Sequence, residues 1–431
     1  MSNLSSLSHE QLLALKKQLK QQYDTYQAQG LQLNMARGKP GREQLDLSTP
    51  LLTCVASAEA CISEDGTDCR NYGGLDGLPG MKRLFADLLE VKPENVIVGG
   101  NSSLNLMYDT IARAMLYGVL GGTPWAKLER VKFLCPVPGY DRHFTVCESL
   151  GIEMVPVEMR EDGPDMAAVK DLAENDPAVK GIWCVPKYSN PEGKTYSAAV
   201  VDAFAALRPA AADFRIFWDN AYCVHHIRDE HDELKNILDA CSAQGRPDMV
   251  YIFASTSKIT FPGAGVAAMA ASEANVADIR RHLSAQTIGP DKINQLRHLR
   301  FFKDRAGVEA HMRRHQAILA PKFAAVQEIL QGELGELGIA DWTHPHGGYF
   351  ISFNGPDGCA ARIVQLCREA GVVTTPAGAT YPYGRDPRDR NIRIAPSVPP
   401  LSELRTAISL FTLCVKLAAV EQLEAREPAL A

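Results

Sequence analysis

A chain of 431 residues, 46% of them hydrophobic and 22% charged, carries enough apolar material for large buried cores and for more than one domain. A formal net charge of −6 offers no electrostatic footprint for nucleic acid or an anionic membrane surface. No apolar run approaches the roughly 18 residues that a membrane helix needs, and no Cys/His cluster has the spacing of a metal site.

The opening MSNLSSLSHEQLLALKKQL lacks the basic and apolar regions of a secretory signal. Instead, Ser8 and Gln11 form a capping-box pattern, and Leu12, Leu15, Leu19 and Tyr23 recur along one side of a predicted helix. The eleven cysteines are scattered with no CxxC pair, which reads as free thiols in a reducing cytosol.

An extended arm follows (LQLNMARGKPGREQLDLSTP), then a glycine-dense loop, CRNYGGLDGLPG, and a helix. From ENVIVGGNSSLNLMYDTIARAML onward, strands alternate with helices through VKFLCPV, IEMVPVEM, GIWCVP and FRIFWD to MVYIFA. Such alternation over some two hundred residues predicts βαβ units and a mainly parallel sheet. Beyond residue 290 the texture changes to a long helical region, a strand (GGYFISF), a helix, a strand (NIRIAP) and a terminal helix. The expected architecture is α/β. Residues 51–300 form a large domain. Residues 1–50 and 301–431 together form a smaller α+β domain.

Ligands of such sheets sit beyond the carboxyl ends of the strands. The polar residues found there are Asn101, Ser102 and Ser103 after VIVGG, Asn190 after GIWCVP, Asp219 and Tyr222 after FRIFW, and Lys258 after VYIFA. Taken singly, each has a bland reading: a solvated lysine, a helix cap, a paired acid. As an ordered set they describe one crevice. Gly99 and Gly100 permit close backbone approach, and the free N–H groups of a helix start favour an anion. Ser255 and Ser257 add hydroxyls beside Lys258. Asp219, costly to bury alone, suits a protonated pyridine nitrogen. An amine, a buried carboxylate and a phosphate cradle together point to pyridoxal 5'-phosphate. A rival motif, GAGVAA at 263–268, imitates a dinucleotide loop but follows no strand directly and lacks the acid expected about 20 residues on.

The series GGNSS, Tyr140, NPEG, DNAY, STSK, HGGYF and NIRIAPS resembles fold-type I PLP-dependent aminotransferases. NMARGKP, NYGGLDG, GNSSLNLMYD and TSKITFPGAGV resemble the type Ic aspartate aminotransferases more narrowly. The resemblance implies that Lys258 carries the Schiff base and moves the α-proton, and that Asp219 pairs with the ring nitrogen. Asn190 and Tyr222 would bind the ring's phenolic oxygen, and Tyr140 would stack on its face. Gly100, Asn101, Ser102, Ser103, Ser255 and Ser257 would hold the phosphate. Tyr72 would reach the phosphate of a second subunit, which implies a homodimer with a shared site. Arg393 would clamp the substrate α-carboxylate, with Asn190 beside it, while Arg142 or Arg37 would read an acidic side chain. The chain departs from many relatives of this type at Val266, where they place a phosphate-binding arginine.

The expected function is therefore ping-pong transfer of an amino group from aspartate or glutamate to 2-oxoglutarate or oxaloacetate in the cytoplasm, with no nucleic-acid or membrane partner. The alternatives are a PLP enzyme acting on aromatic or kynurenine-type amino acids or eliminating at Cβ, and, from another class, a non-catalytic PLP-sensing regulator. The single amphipathic helix at the start leaves no room for a DNA-binding domain.

Overall fold

The computed structural model describes residues 4–426. Its centre is a seven-stranded sheet in the spatial order 96–98, 267–271, 250–255, 215–219, 179–184, 132–137, 153–158. Strand 267–271 runs antiparallel to both neighbours, and the remaining pairings are parallel. The expected mainly parallel α/β sheet is thus present. Strands 179–184, 215–219 and 250–255 are buried at every position. That explains why they read as continuous apolar runs rather than alternating ones, since helices cover both faces. Two hydrophobic clusters, one on each face, fill the space between sheet and helices.

Because the parallel strands point the same way, their carboxyl ends share one edge. The segments that follow them, at 140, 190, 219–222 and 256–258, therefore meet although they are far apart in sequence.

A third cluster joins the two ends of the chain. The first helix, His9–Gln27, starts on the expected capping box. The Ser8 hydroxyl accepts from the Gln11 N–H at 3.3 Å, and the Gln11 side chain accepts from the Ser8 N–H at 2.8 Å. It buries Leu12, Leu19 and Tyr23. These meet the far half of helix Arg305–Leu334, a three-stranded antiparallel sheet (341–342, 351–354, 391–394) and the terminal helix Leu401–Arg426.

Two sequence expectations need correction. The helical region after residue 290 is two helices, Lys292–Phe302 and Arg305–Leu334, broken where Lys303 takes φ 69° and the Asp304 carboxylate caps the second helix by accepting from the Gly307 N–H. The terminal helix, by length and composition alone, is apolar enough to cross a bilayer, although no such run was expected. Its apolar positions are used inward: Leu404, Ile408, Phe411, Val415 and Val420 are all wholly buried in the third cluster.

Phe411 packs edge-on against Phe353 with ring centroids 4.9 Å apart. Phe411→Ala should cost about 3–5 kcal/mol through lost burial and the cavity left behind, measured by urea unfolding. A change below about 1 kcal/mol would mean that the ends of the chain are not held by this core.

Candidate active site

Asp219, the last residue of its strand, is 3% exposed. One carboxylate oxygen, Oδ2, lies 3.0 Å from His143 Nε2, while Oδ1 is buried with no hydrogen-bond partner. His143 is itself fixed by stacking on Trp183, with centroids 4.3 Å apart and planes 10° from parallel. A buried carboxylate with one oxygen held and the other orphaned has room for one more donor, and a pyridinium N–H is a donor of the right kind. Tyr140 meets the His143 ring edge-on at 4.9 Å, on the same side of the crevice.

Lys258 follows the neighbouring strand. Its amine stands 4.9 Å from the centroid of the Tyr222 ring and makes no hydrogen bond to the described residues. Desolvation pulls its pKa below the ordinary lysine value, partly opposed by the Asp219 charge and reinforced by Arg393. More of the amine is therefore neutral and nucleophilic at physiological pH. Tyr222 is 2% exposed, and burial first, then the Tyr140 and Asp219 charges, push its phenol pKa well above 10, so it remains a donor.

The cradle is built by close approaches. Helix Ser103–Tyr117 starts at Ser102, whose hydroxyl makes no cap bond, so the plain helix-cap reading of that residue does not hold. A Cβ on Gly99 would lie 2.5 Å from Leu106 Cδ2. A Cβ on Gly265 would lie 3.0 Å from the Asn101 carbonyl oxygen and 3.2 Å from the Ser257 nitrogen. The lysine loop thus presses on the cradle only because residue 265 is glycine. Gly100, by contrast, has open space around it. The Ser255 and Ser257 hydroxyls are 3.1 Å apart, and Ser257 donates to the Asn101 carbonyl at 3.1 Å.

Val266 is 1% exposed and packs into the main core, while its backbone is pinned by Thr256 through bonds of 2.8 and 2.9 Å. A side chain at this position enters the core rather than the crevice. Asn294 ties this loop to the next helix, donating to the carbonyls of Ala264 and Gly265 and accepting from Arg297.

Arg393, on strand 391–394, is 6% exposed, and its guanidinium lies over the Phe350 ring at 4.7 Å. Its Nη1 donates to Asp141 at 2.9 Å and to Asn190 at 3.1 Å. Asn190 is itself 4% exposed. Lys258, Asp219, Asn190, Tyr222, Tyr140 and Arg393 are therefore one constellation. Arg142 and Arg37 are both exposed, with no ion pair among the described residues. Tyr72 is 82% exposed at the tip of its loop, which Lys292 anchors through the carbonyls of Asn71 and Gly73, each at 2.7 Å.

Several residues escaped the sequence reading. His143 and Asp141 lie one turn or less beyond Tyr140 and reach the site only through the helix they start. Below the lysine loop lies a buried polar layer. Tyr349 donates to the Lys258 carbonyl at 3.3 Å, and His311 Nε2 is 2.9 Å from the Ile259 carbonyl oxygen. Gln44 donates to Tyr349 and to His315 at 2.8 and 2.9 Å. His298 Nδ1 faces the Asn294 carbonyl at 2.8 Å, which assigns its proton there and leaves Nε2 to accept from Thr256 and Thr260, at 3.1 and 2.9 Å. Isolated histidines in helices gave no signal. Only their spacing in space reveals them.

Burial lowers the His298 pKa to about 4 from the ordinary 6.5. The unfolded chain then takes up the proton first on acidification. The stabilising contribution is complete above about pH 6.5 and is lost as pH falls toward 4. Melting temperature followed from pH 8 to pH 4 should fall in that window, and His298→Gln should show a shallower fall. Equal slopes would exclude His298 as a source of the acid sensitivity.

The aspartate amino-transferase family model matches residues 7–427. A Corynebacterium glutamicum aspartate aminotransferase is 46% identical over 420 residues, covering 97% of each chain. A Mycolicibacterium smegmatis protein, provisionally named an aminotransferase, is 50% identical over 423 residues, covering 98% of this chain and 99% of its own. The crystal structure of an aspartate transaminase from C. glutamicum superposes with a TM-score of 0.95 at 45% identity, covering 98% of this chain and 99% of that one. The fold, the family match and these relatives mark a fold-type I PLP-dependent aminotransferase. The chain belongs to the aspartate aminotransferase family.

Proposed function

We propose that this aminotransferase takes the amino group of aspartate or glutamate and delivers it to 2-oxoglutarate or oxaloacetate, using pyridoxal 5'-phosphate in two half-reactions. The observation that carries the reading is the orphaned, buried Oδ1 of Asp219, set in one crevice with the amine of Lys258 and the guanidinium of Arg393. The near-full-length likeness to a relative named an aspartate aminotransferase supports the acidic substrate.

When bound, the cofactor supplies a cationic ring that draws off negative charge developing at the substrate α-carbon. The chain's own groups supply the rest. Asp219 would keep the ring nitrogen protonated through its unpartnered Oδ1, while His143 steadies Oδ2. Tyr222 and the Asn190 amide would donate to the ring oxygen, and Tyr140 would cover the ring face. Gly100, Asn101, Ser102, Ser103, Ser255 and Ser257 would hold the phosphate through backbone N–H groups and hydroxyls. Lys258 Nζ, whose charged form burial disfavours, would hold the cofactor and would take the proton from the substrate Cα and return it. Arg393 pairs with the α-carboxylate.

Tyr72, largely exposed and carried on an anchored loop, is offered to the phosphate site of a second copy, so the working form is a homodimer. No cysteine forms a disulfide among the described residues, which fits a reducing, cytoplasmic setting. The small domain is the third core, assembled from both chain ends.

The test is a half-reaction panel, in which purified holoenzyme is mixed with each amino acid and conversion of the cofactor is followed by absorbance. Aspartate and glutamate should convert it fastest. Preference for aromatic amino acids, or pyruvate and ammonia released without an acceptor, would overturn the acidic-substrate reading. Lys258→Ala should abolish the pH- and substrate-dependent cofactor absorbance, and an unchanged spectrum would sink the assignment of the lysine.

Arg142 shares its short segment with Tyr140 and so is favoured over Arg37 for the distal carboxylate. Arg142→Ala should lower kcat/KM for acidic substrates by about 10- to 100-fold, the worth of a charge-assisted pair, while sparing alanine. A uniform loss across substrates would refute that role.

A further inference from the structure

Arg393 offers its guanidinium unequally. Nε is wholly enclosed and has no partner. The flat face rests on Phe350. Nη2 makes no hydrogen bond to the described residues, so a carboxylate must approach the Nη1/Nη2 end. Nη1 is already engaged by Asn190 and by Asp141 Oδ1, at 3.1 and 2.9 Å. The two partners differ in placement. Asn190 is buried, whereas the Asp141 side chain is 36% exposed against 7% for the arginine it holds. Asp141 is thus the solvent-side partner, a carboxylate on an end of the guanidinium that an α-carboxylate also needs.

We infer that Asp141 is an internal carboxylate that occupies Arg393 in the amino-acid-free enzyme and is exchanged for the substrate's α-carboxylate. The inference rests on the proposed role of Arg393 as the α-carboxylate clamp. Two features make the exchange feasible. Asp141 is the first residue of helix Asp141–Ser149, whose N-cap, Tyr140, makes no side-chain cap bond. The positive end of that helix offers a second position for a released carboxylate, although the His143 N–H of its first turn is already bonded to the Tyr140 carbonyl at 3.0 Å. Arg142, next in sequence and exposed, is a further cation close to it.

The exchange also explains how a nearly buried guanidinium is kept paired before substrate arrives. Its consequence is that each carboxylate substrate binds against a built-in competitor. Asp141 therefore sets affinity for the class as a whole rather than choosing among its members.

The test uses holoenzyme with succinate, an unreactive dicarboxylate, and propionate, a monocarboxylate, titrated by calorimetry into wild type, Asp141→Asn and Asp141→Ala. Cofactor absorbance matching wild type shows that the variants are folded and loaded. With the competitor removed, both ligands should bind about tenfold more tightly, one charge-assisted hydrogen bond no longer being broken. KM for the amino acid should fall by a similar factor, without a rise in kcat. Unchanged or weaker binding in both variants would make Asp141 a fixed prop for Arg393 and overturn the exchange while leaving the clamp intact. If wild type binds neither ligand and Arg393→Ala leaves the amino-acid KM unchanged, the clamp reading fails, and the exchange with it.

Discussion

The pairing of Asp219 with His143 is the constraint on which the rest of the site depends. A carboxylate buried to 3% exposure at the end of an apolar strand is expensive unless both oxygens are satisfied. His143 satisfies one, and nothing in the described chain satisfies the other. The protein therefore stores a demand for a donor at one defined point. In the proposed reading a ring nitrogen would meet that demand, near Lys258, which follows the adjacent strand. His143 cannot drift to serve both oxygens, because Trp183 stacks along its face.

The lysine loop is held with similar care, from beneath rather than from the crevice. Tyr349 takes the carbonyl of Lys258, His311 lies against that of Ile259, and Thr256 pins Val266 from both sides. These bonds spend polar groups on backbone rather than on the amine, which has no hydrogen-bond partner among the described residues and is desolvated by burial. Gln44 links this layer to the arm near the start of the chain, and helix Arg305–Leu334 carries both His311 and His315. The N-terminal arm and this helix therefore meet directly below Lys258.

A cavity of about 890 Å³ on another part of the surface illustrates why size alone does not define the site. It is lined by Lys187, His226, Asp232 and Arg305 among others, and includes none of Lys258, Asp219, Asn190 or Arg393. Its charges are of both signs; Arg305 pairs with Glu309 and Glu90 within the lining, while Lys235 and Asp232 pair with Asp202 and His346 outside it. The crevice at the strand ends is defined by what it leaves unpaired among the described residues: one carboxylate oxygen, one amine, and the Nε and Nη2 of one guanidinium.

The sequence by itself determined the strand–helix alternation and the residues that follow each strand. Both are local: a run of apolar residues ending in a polar one is legible without knowing its neighbours. Lys258, Asp219, Asn190 and Tyr222 are visible for that reason, whereas the departure at Val266 is visible only against the family resemblance. Tertiary structure decided which of these touch. It alone shows that Asp219 rests on His143, that Asp141 shares Arg393 with Asn190, and that Val266 turns into the core instead of the cradle. It also broke the long C-terminal helical region at Lys303 and buried an apolar terminal helix of near-membrane length. The physical reason is range. Strand identity depends on neighbours within a few residues, whereas a buried charge is satisfied by partners as much as 252 residues away, as Arg393 is by Asp141.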